Sequence, residues 1–485
     1  MIIWIPLTVI FIVWAYAVWS LNAEKGYAYF LFQFLYKKLG FINAYQKTGV
    51  RHDALSKIWE GIKSDYHLKW IAENFPMHRQ PLNTPKKVRW FYFFLISCQY
   101  FAITLTASNN AVYYLTKGIS VDWLAYLGTV SALTIVLFEF PTGLIADRFG
   151  STVSIVLSLM LRGCASFAVV ACYGPVMFCF ITIISSIGFT CFSGASEAWI
   201  ISKDPSVKAD MGSFFSSLFI FSGIARILGG LTGGMSANAL PKLPFLLSGT
   251  ILLALSVILM TFEFNLSRIK KTRFKNSKKK IPFILIADAK ESLDEIYKNK
   301  CLLYMISSGI FFIIFCGVPL VYWQPFFYEV MGSTGALGII WAGFLSMNIL
   351  GNMTLKLTFF KGKNDFYLFG WLTVFCGLAL CLSAILKTSS SGSIGAFFLY
   401  QFFLGIIGPL RGKIINKELT DGKRASVLSL ISLLESIGSM IGFSMAGYLS
   451  KQIGLQYLFF IASIPLIVSF ITARMAYIKK SHAAS

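Results

Sequence analysis

Runs of roughly 20 apolar residues, separated by short polar or basic stretches, recur along almost the whole chain. A helix rises about 1.5 Å per residue, so such a run crosses a hydrocarbon core of ~30 Å. The runs are continuous, whereas the strands of a membrane barrel alternate apolar and polar positions over about ten residues. About thirteen runs meet the length criterion, so the pattern predicts an all-α integral membrane protein. From Arg89 onward it places twelve spans, at 90–113, 122–146, 153–173, 175–200, 212–237 and 244–266, then 301–328, 335–358, 365–386, 395–415, 425–447 and 455–476.

The segment before them reads differently. Ile2 to Leu21 is a further apolar run, and Ala15-Tyr16-Ala17 mimics a signal-peptidase site. It has no basic n-region and is followed by a basic stretch that export would have to carry across, so an uncleaved N-terminal anchor is expected. Tyr29 to Phe41 is too short to span and is expected in the interface. Leu55, Trp59, Ile62, Tyr66 and Trp70 recur at helical spacing after Asp53, giving an amphipathic connector that ends at Pro76, Pro81 and Pro85. The expected organisation is therefore an anchor (1–21), a cytoplasmic or interfacial segment (22–88), a six-helix half (89–266), a basic loop (267–300), a second six-helix half (301–476) and a tail (477–485). Within the loop, Ile286, Ala289, Leu293 and Ile296 form one face of a surface helix, with Asp288, Glu291 and Glu295 elsewhere.

Composition agrees: hydrophobic residues make up 56% of the chain and charged residues 13%, about half the charged share of a soluble domain. The net charge of +22 would suit nucleic acid if basic helices carried stacking aromatics, but the basic residues sit between the spans. Arg268 to Lys280 holds eight basic residues and no acidic one, and Lys356 to Lys363 and Lys417 to Arg424 are also basic. Positive loops stay in the cytoplasm, so these face inward, while the sparser loops around Lys117, Tyr173, Lys242, Glu329, Lys387 and Lys451 face outward. The N-terminus is then outside and the C-terminus cytoplasmic. The cysteines are scattered without CxxC, and His52, His67, His78 and His482 all lie outside the spans, so neither a metal nor another cofactor is expected. The phenylalanines are read as lipid-facing filler, with Trp and Tyr as interface anchors.

Two segments carry a family resemblance. Gly143, Asp147, Arg148 and Gly150 follow the second span, and this run resembles the loop motif of the major facilitator superfamily (MFS) of secondary transporters. In that family the glycines turn the chain and the Asp and Arg make contacts at the inner gate; here Ser151 and Thr152 stand where a basic pair is usual. Gly194, Glu197, Ala198 and Trp199, together with Pro409, Asn416, Arg424, Ala425, Ser426 and Ser429, are similar to a bacterial drug-efflux-like sub-group. The similarity covers about 90 to 475 and leaves the first 88 residues outside it. It implies two six-helix halves with a midplane substrate site. A shift of 215 residues places Ser217-Leu218 on Ser432-Leu433 and Gly223 on Gly438, in keeping with a repeat. Two departures bear on coupling: the fourth span has no basic residue, and Gly229, Gly230, Gly233 and Gly234 are similar to an antiporter glycine motif with Gly230 in place of proline.

Ionisable groups in lipid cost several kcal/mol and mark cavities or partners. Four stand inside the spans: Glu139, Arg162, Arg226 and Glu435. Helix arithmetic puts Glu139 and Arg162 both about 12–15 Å from the inner surface, and they are expected to pair. Glu197 is expected near the cytoplasmic end beside Asp147, with Trp199 at the interface. The amides Gln99, Asn109, Asn110, Gln324, Asn348, Asn352 and Gln401 are candidates to line a central path. The expected function is solute transport by alternating access, as proton-coupled efflux of a drug-like compound or metabolite through a bacterial inner membrane. The alternatives are an importer of a siderophore or nutrient, and a non-transporting receptor or scaffold that uses residues 22–88 to bind a protein partner. No P-loop, nucleophile or metal cluster points to an enzyme.

Overall fold

The computed structural model describes residues 85–267, 294, 296–355, 364–419 and 424–484. The expected anchor, the interfacial segment, the amphipathic connector, the loops 268–280 and 356–363, and most of the surface helix lie outside the described residues. Among those described, all regular structure is helical, and twelve helices are long and apolar enough to cross a membrane. The first six spans are Lys87–Ala107, Val121–Phe149, Ser151–Ala171, Pro175–Lys203, Met211–Ala239 and Leu243–Glu263. The last six are Lys300–Met331, Thr334–Thr354, Asp365–Thr388, Ser390–Glu418, Val427–Ser450 and Leu455–Lys480. Each coincides with one of the expected spans.

Departures occur inside spans. The first was expected as one helix over 90–113, but it stops at Ala107, turns at Asn109 (φ −145°, ψ 1°) and restarts as Asn110–Thr116. No proline or glycine marks this break; the reason lies in a partner described below. The fourth span is interrupted where the Gly194 motif begins, with Ser193 extended and Gly194 at φ +63°, a left-handed conformation that a Cβ disfavours. Gly150, at φ +92°, turns the chain between the second and third spans. Gly143, expected to share that role, lies inside the second helix with open space around it. One glycine of the motif therefore makes the turn.

The described residues form two compact units. The smaller gathers 85–94, 200–211 and 264–267. Its polar centre is Asp204, 1% exposed, which accepts from Arg89 Nε at 2.5 Å and from the Ser206 backbone at 3.1 Å. Arg89 Nη2 also donates to Ser206 Oγ at 2.7 Å. Burial alone would push the Asp204 carboxyl up, but the hydrogen bonds from Ser206 and Arg89 outweigh it and hold it below the usual carboxylate range.

In the larger unit the fourth span packs against both the second and the third, and the seventh packs against the eleventh and twelfth. The second also packs against the eleventh. Phenylalanine contributes more than filler here: Phe315, Phe326, Phe327 and Phe397 are fully buried, and Phe326 stacks on Phe459 at 4.7 Å. These rings fill the space between helices, where aromatic pairs add to plain area burial.

Candidate functional site

The break in the first span frees backbone groups at membrane depth, where each must find a partner. Gln324 of the seventh span supplies it. Its Nε2 donates to the Ala107 carbonyl at 2.8 Å and to Asn110 Oδ1 at 2.7 Å, while its Oε1 accepts from the Ala111 N–H at 2.8 Å. One amide thus spans the broken helix and ties the first span to the seventh. Asn109, beside the break, is buried and turned back to the Leu105 carbonyl.

Asn110 and Gln324 also border a cavity of about 310 Å³, lined by the first four spans, the sixth and the seventh. Ser131, Arg162, Thr182 and Ser185 face it. The other candidate amides stand elsewhere: Gln99 is buried, Asn348 donates weakly to the Gln401 carbonyl at 3.5 Å, and Asn352 is half-buried. Two of the seven therefore reach this cavity.

Arg162 does not pair with Glu139, contrary to expectation. Arg162 packs instead against the fourth span, which contacts both the second and the third. An ideal Cβ at Gly188 of that span would lie 2.7 Å from Arg162 Cγ, so the glycine makes room for the arginine stem. Glu139 is exposed and has no ion pair among the described residues. Helix arithmetic addresses position along the axis; direction around the axis decides the pairing. Arg226 lies with its guanidinium 3.7 Å over the Tyr100 ring, a favourable cation–π geometry.

Glu435 has a partner that the sequence reading did not identify. Arg411 of the tenth span meets its carboxylate at 2.5 Å, with side chains 14% and 25% exposed. A Cβ at Gly309 of the seventh span would occupy the space of the Arg411 guanidinium, so this pair sits at a three-helix contact. Arg411 falls two residues after Pro409, and that proximity was the available signal.

Contacts between the first six spans and the last six cluster toward the end that carries the 118, 174, 332 and 454 glycine turns. There Lys451 Nζ meets Asp122 at 3.0 Å, Thr129 bonds Ser444 at 3.1 Å and Ser333 donates to Asn238 at 3.4 Å. The fifth span presents two glycine faces. Gly229 and Gly233 lie against backbone of the first span, while Gly230 receives the Trp341 indole and Gly234 meets Gly338 of the eighth. Small residues allow such close helix approach. Trp341 also donates to the Arg226 carbonyl at 3.3 Å.

The opposite end holds the motif residues. Asp147, Arg148 and Glu197 are exposed, and no hydrogen bond or ion pair joins Asp147 to Glu197. The two motifs meet through other residues. Trp199 is fully buried instead of lying at an interface, its ring 6.2 Å from Phe262, and its Nε1 donates to Thr152 Oγ1 at 3.1 Å. Thr152 occupies a position where a basic residue is usual, and a lysine or arginine there has no acceptor for the indole.

Comparison with known proteins identifies the fold. Residues 92–411 and 360–485 match the Major Facilitator Superfamily. An uncharacterized MFS-type transporter of Bacillus subtilis (strain 168), YxaM, is 24% identical over 381 residues, covering 74% of this chain and 88% of the relative. A variant of the nucleoside transporter NupG superposes with a TM-score of 0.66 at 13% identity, over 80% of this chain and 100% of that one. The POT family transporter PepTSo gives 0.60 at 10% identity, over 82% and 98%. Identities this low carry the fold alone, whereas the family match runs through nearly all the described spans: the chain belongs to the Major Facilitator Superfamily, as a multi-pass membrane transporter.

Proposed function

We propose that this chain moves a small solute across a bacterial cytoplasmic membrane by alternating access, as a proton-coupled exporter of the drug-efflux-like sub-group. The observation that carries the reading is an asymmetry. The second and eleventh spans, and the fifth and eighth, meet toward one end, whereas Glu139, Asp147, Arg148 and Glu197 are exposed toward the other. The shift of 215 residues exchanges these two helix pairs, as two rocking halves require. Positive loops assign the motif end to the cytoplasm, so this arrangement is open inward. Asp147, Arg148 and Glu197 then act when the inner gate closes, and Glu197 governs switching and does not bind solute. The Arg411–Glu435 pair is the coupling candidate in the second half, because protonating Glu435 removes the charge that holds Arg411.

The test is accumulation of a panel of labelled compounds in cells with and without the gene, repeated with the proton gradient collapsed. Lower accumulation that depends on the gradient is the expected result. Gradient-dependent higher accumulation would make the chain an importer, and no change for any solute would favour a receptor or scaffold. Glu197→Gln is expected to cut turnover strongly with solute affinity nearly unchanged.

A further inference from the structure

We infer that the cavity at Arg162 is the head-group site for a small organic monoanion, a carboxylate with an apolar body. The inference rests on the transporter reading and names the substrate class of that site. A guanidinium near the middle of a span is costly unless something compensates it. Arg162 lines the cavity and has no carboxylate or hydrogen-bond partner among the described residues, and no Asp or Glu lines the cavity with it. Thr182 and Ser185, one helical turn apart on the fourth span, face the same space with hydroxyls that have no partner among the described residues. Ser131 and Ser186 bond each other at 2.8 Å, and Gln324 spends its amide on the broken helix, so neither competes with Arg162 for an anion.

The head-group chemistry follows from that inventory. A guanidinium fork with two hydroxyl donors matches a carboxylate, which accepts bidentate bonds. The cavity offers one cation, so a dianionic phosphate would keep an uncompensated charge and an amine would be repelled. Tyr114, Val169 and Phe245 supply apolar wall beyond the polar group. A volume of about 310 Å³ is at the small end of ligand pockets, fitting a one-ring or short-chain body. Gly188 belongs to the same device, because a side chain there would displace the arginine stem.

The test uses four probes of similar shape and different head group: phenylacetate, phenylacetamide, phenethylamine and phenyl phosphate. Thermal unfolding of the purified full chain in detergent is followed against probe concentration. Phenylacetate should reach half-maximal stabilisation at least tenfold below phenylacetamide, with phenyl phosphate between them and phenethylamine weakest. Arg162→Gln should erase that tenfold preference, and Arg162→Lys should keep part of it. Should Arg162→Gln fail to fold, Thr182→Val with Ser185→Ala should weaken phenylacetate several-fold and phenylacetamide little. An amide or amine that binds as well as the acid overturns the inference, as does an acid preference that survives Arg162→Gln, an acid affinity unmoved by the double variant, or no stabilisation by any probe. Proteoliposome flux separates the two readings. Gradient-driven movement of neutral or cationic solutes that is indifferent to Arg162→Gln would sink the anion site and leave the transporter standing. Carboxylate binding without flux under any gradient would do the reverse.

Discussion

At the scale of single residues, Gln324 joins a local irregularity to the rest of the protein. Gln324→Leu leaves the Ala107 carbonyl without its partner and the Ala111 N–H with only Asn110 Oδ1 at 3.0 Å, and the stranded carbonyl costs roughly 1–3 kcal/mol. The expected result is a clear fall in unfolding temperature in detergent, with Gln324→Glu intermediate because it keeps the acceptor for Ala111; unchanged stability in both would show that the break needs no partner. Thr152→Val should likewise destabilise by about 1–3 kcal/mol by stranding the buried Trp199 indole, whereas Thr152→Ser should not, and equal losses for the two would remove that hydrogen bond from the account. Asp204 adds a pH dependence. Its carboxyl is held below the ordinary value, so its contribution is present above the unfolded value of about 3.9 and lost as pH falls through the folded one. Denaturant titrations should show Asp204→Asn lowering stability at neutral pH and converging on the parent as pH falls below about 4. Residue type and position were enough to flag Gln324 and Asn110 in the sequence. The break itself was not legible, since its cause lies more than two hundred residues away, and neither was Arg89 with Asp204, whose meeting depends on how separate helices end.

Elements were legible in their ends more than in their directions. Apolar run length fixed the twelve spans to within a few residues, because the bilayer sets that length whatever the packing. Azimuth has no comparable ruler: helix arithmetic gave Glu139 and Arg162 the same depth, yet Arg162 packs against Gly188 of the fourth span and not on Glu139. The glycines of the fifth span illustrate the same gap. Their spacing was visible, but the division into one face for the first span and another for the eighth appears only once the helices are packed. Gly230→Ala places a methyl where the Trp341 indole lies, and overpacking of this kind costs about 1–3 kcal/mol. The fifth–eighth contact should loosen, so a cysteine at Asn238, which now accepts from Ser333, should react faster with a thiol reagent in the Gly230→Ala background. Adding Trp341→Ala should restore most of the original rate, since the two changes act on one contact; a rate unaffected by Gly230→Ala would mean this seam does not hold the end closed.

For the whole molecule, the class was legible because composition, run length and charge placement all point to one answer, while the substrate was not, because it depends on which few polar side chains converge. The closed end is held in part by Lys451 and Asp122. The hydrogen bond it donates to Asp122 holds the Lys451 ammonium above its usual range. A raised lysine keeps its contribution below the unfolded value of about 10.4 and loses it only as pH climbs through the folded one, so the lysine side of this bridge does not titrate between about pH 6 and 9. The proposed inward-open orientation rests on the basic loops alone. In a background with the native cysteines replaced, a cysteine at Leu240, exposed beside the closed end, should react with an impermeant reagent added to intact cells, and one at Lys275 in the loop with eight basic residues should react only after the membrane is opened. The reverse pattern would leave the fold and the contacts untouched but turn the same arrangement outward. The motif residues would then stand at an outer gate, and the charge rule would have failed in a protein whose net charge is +22.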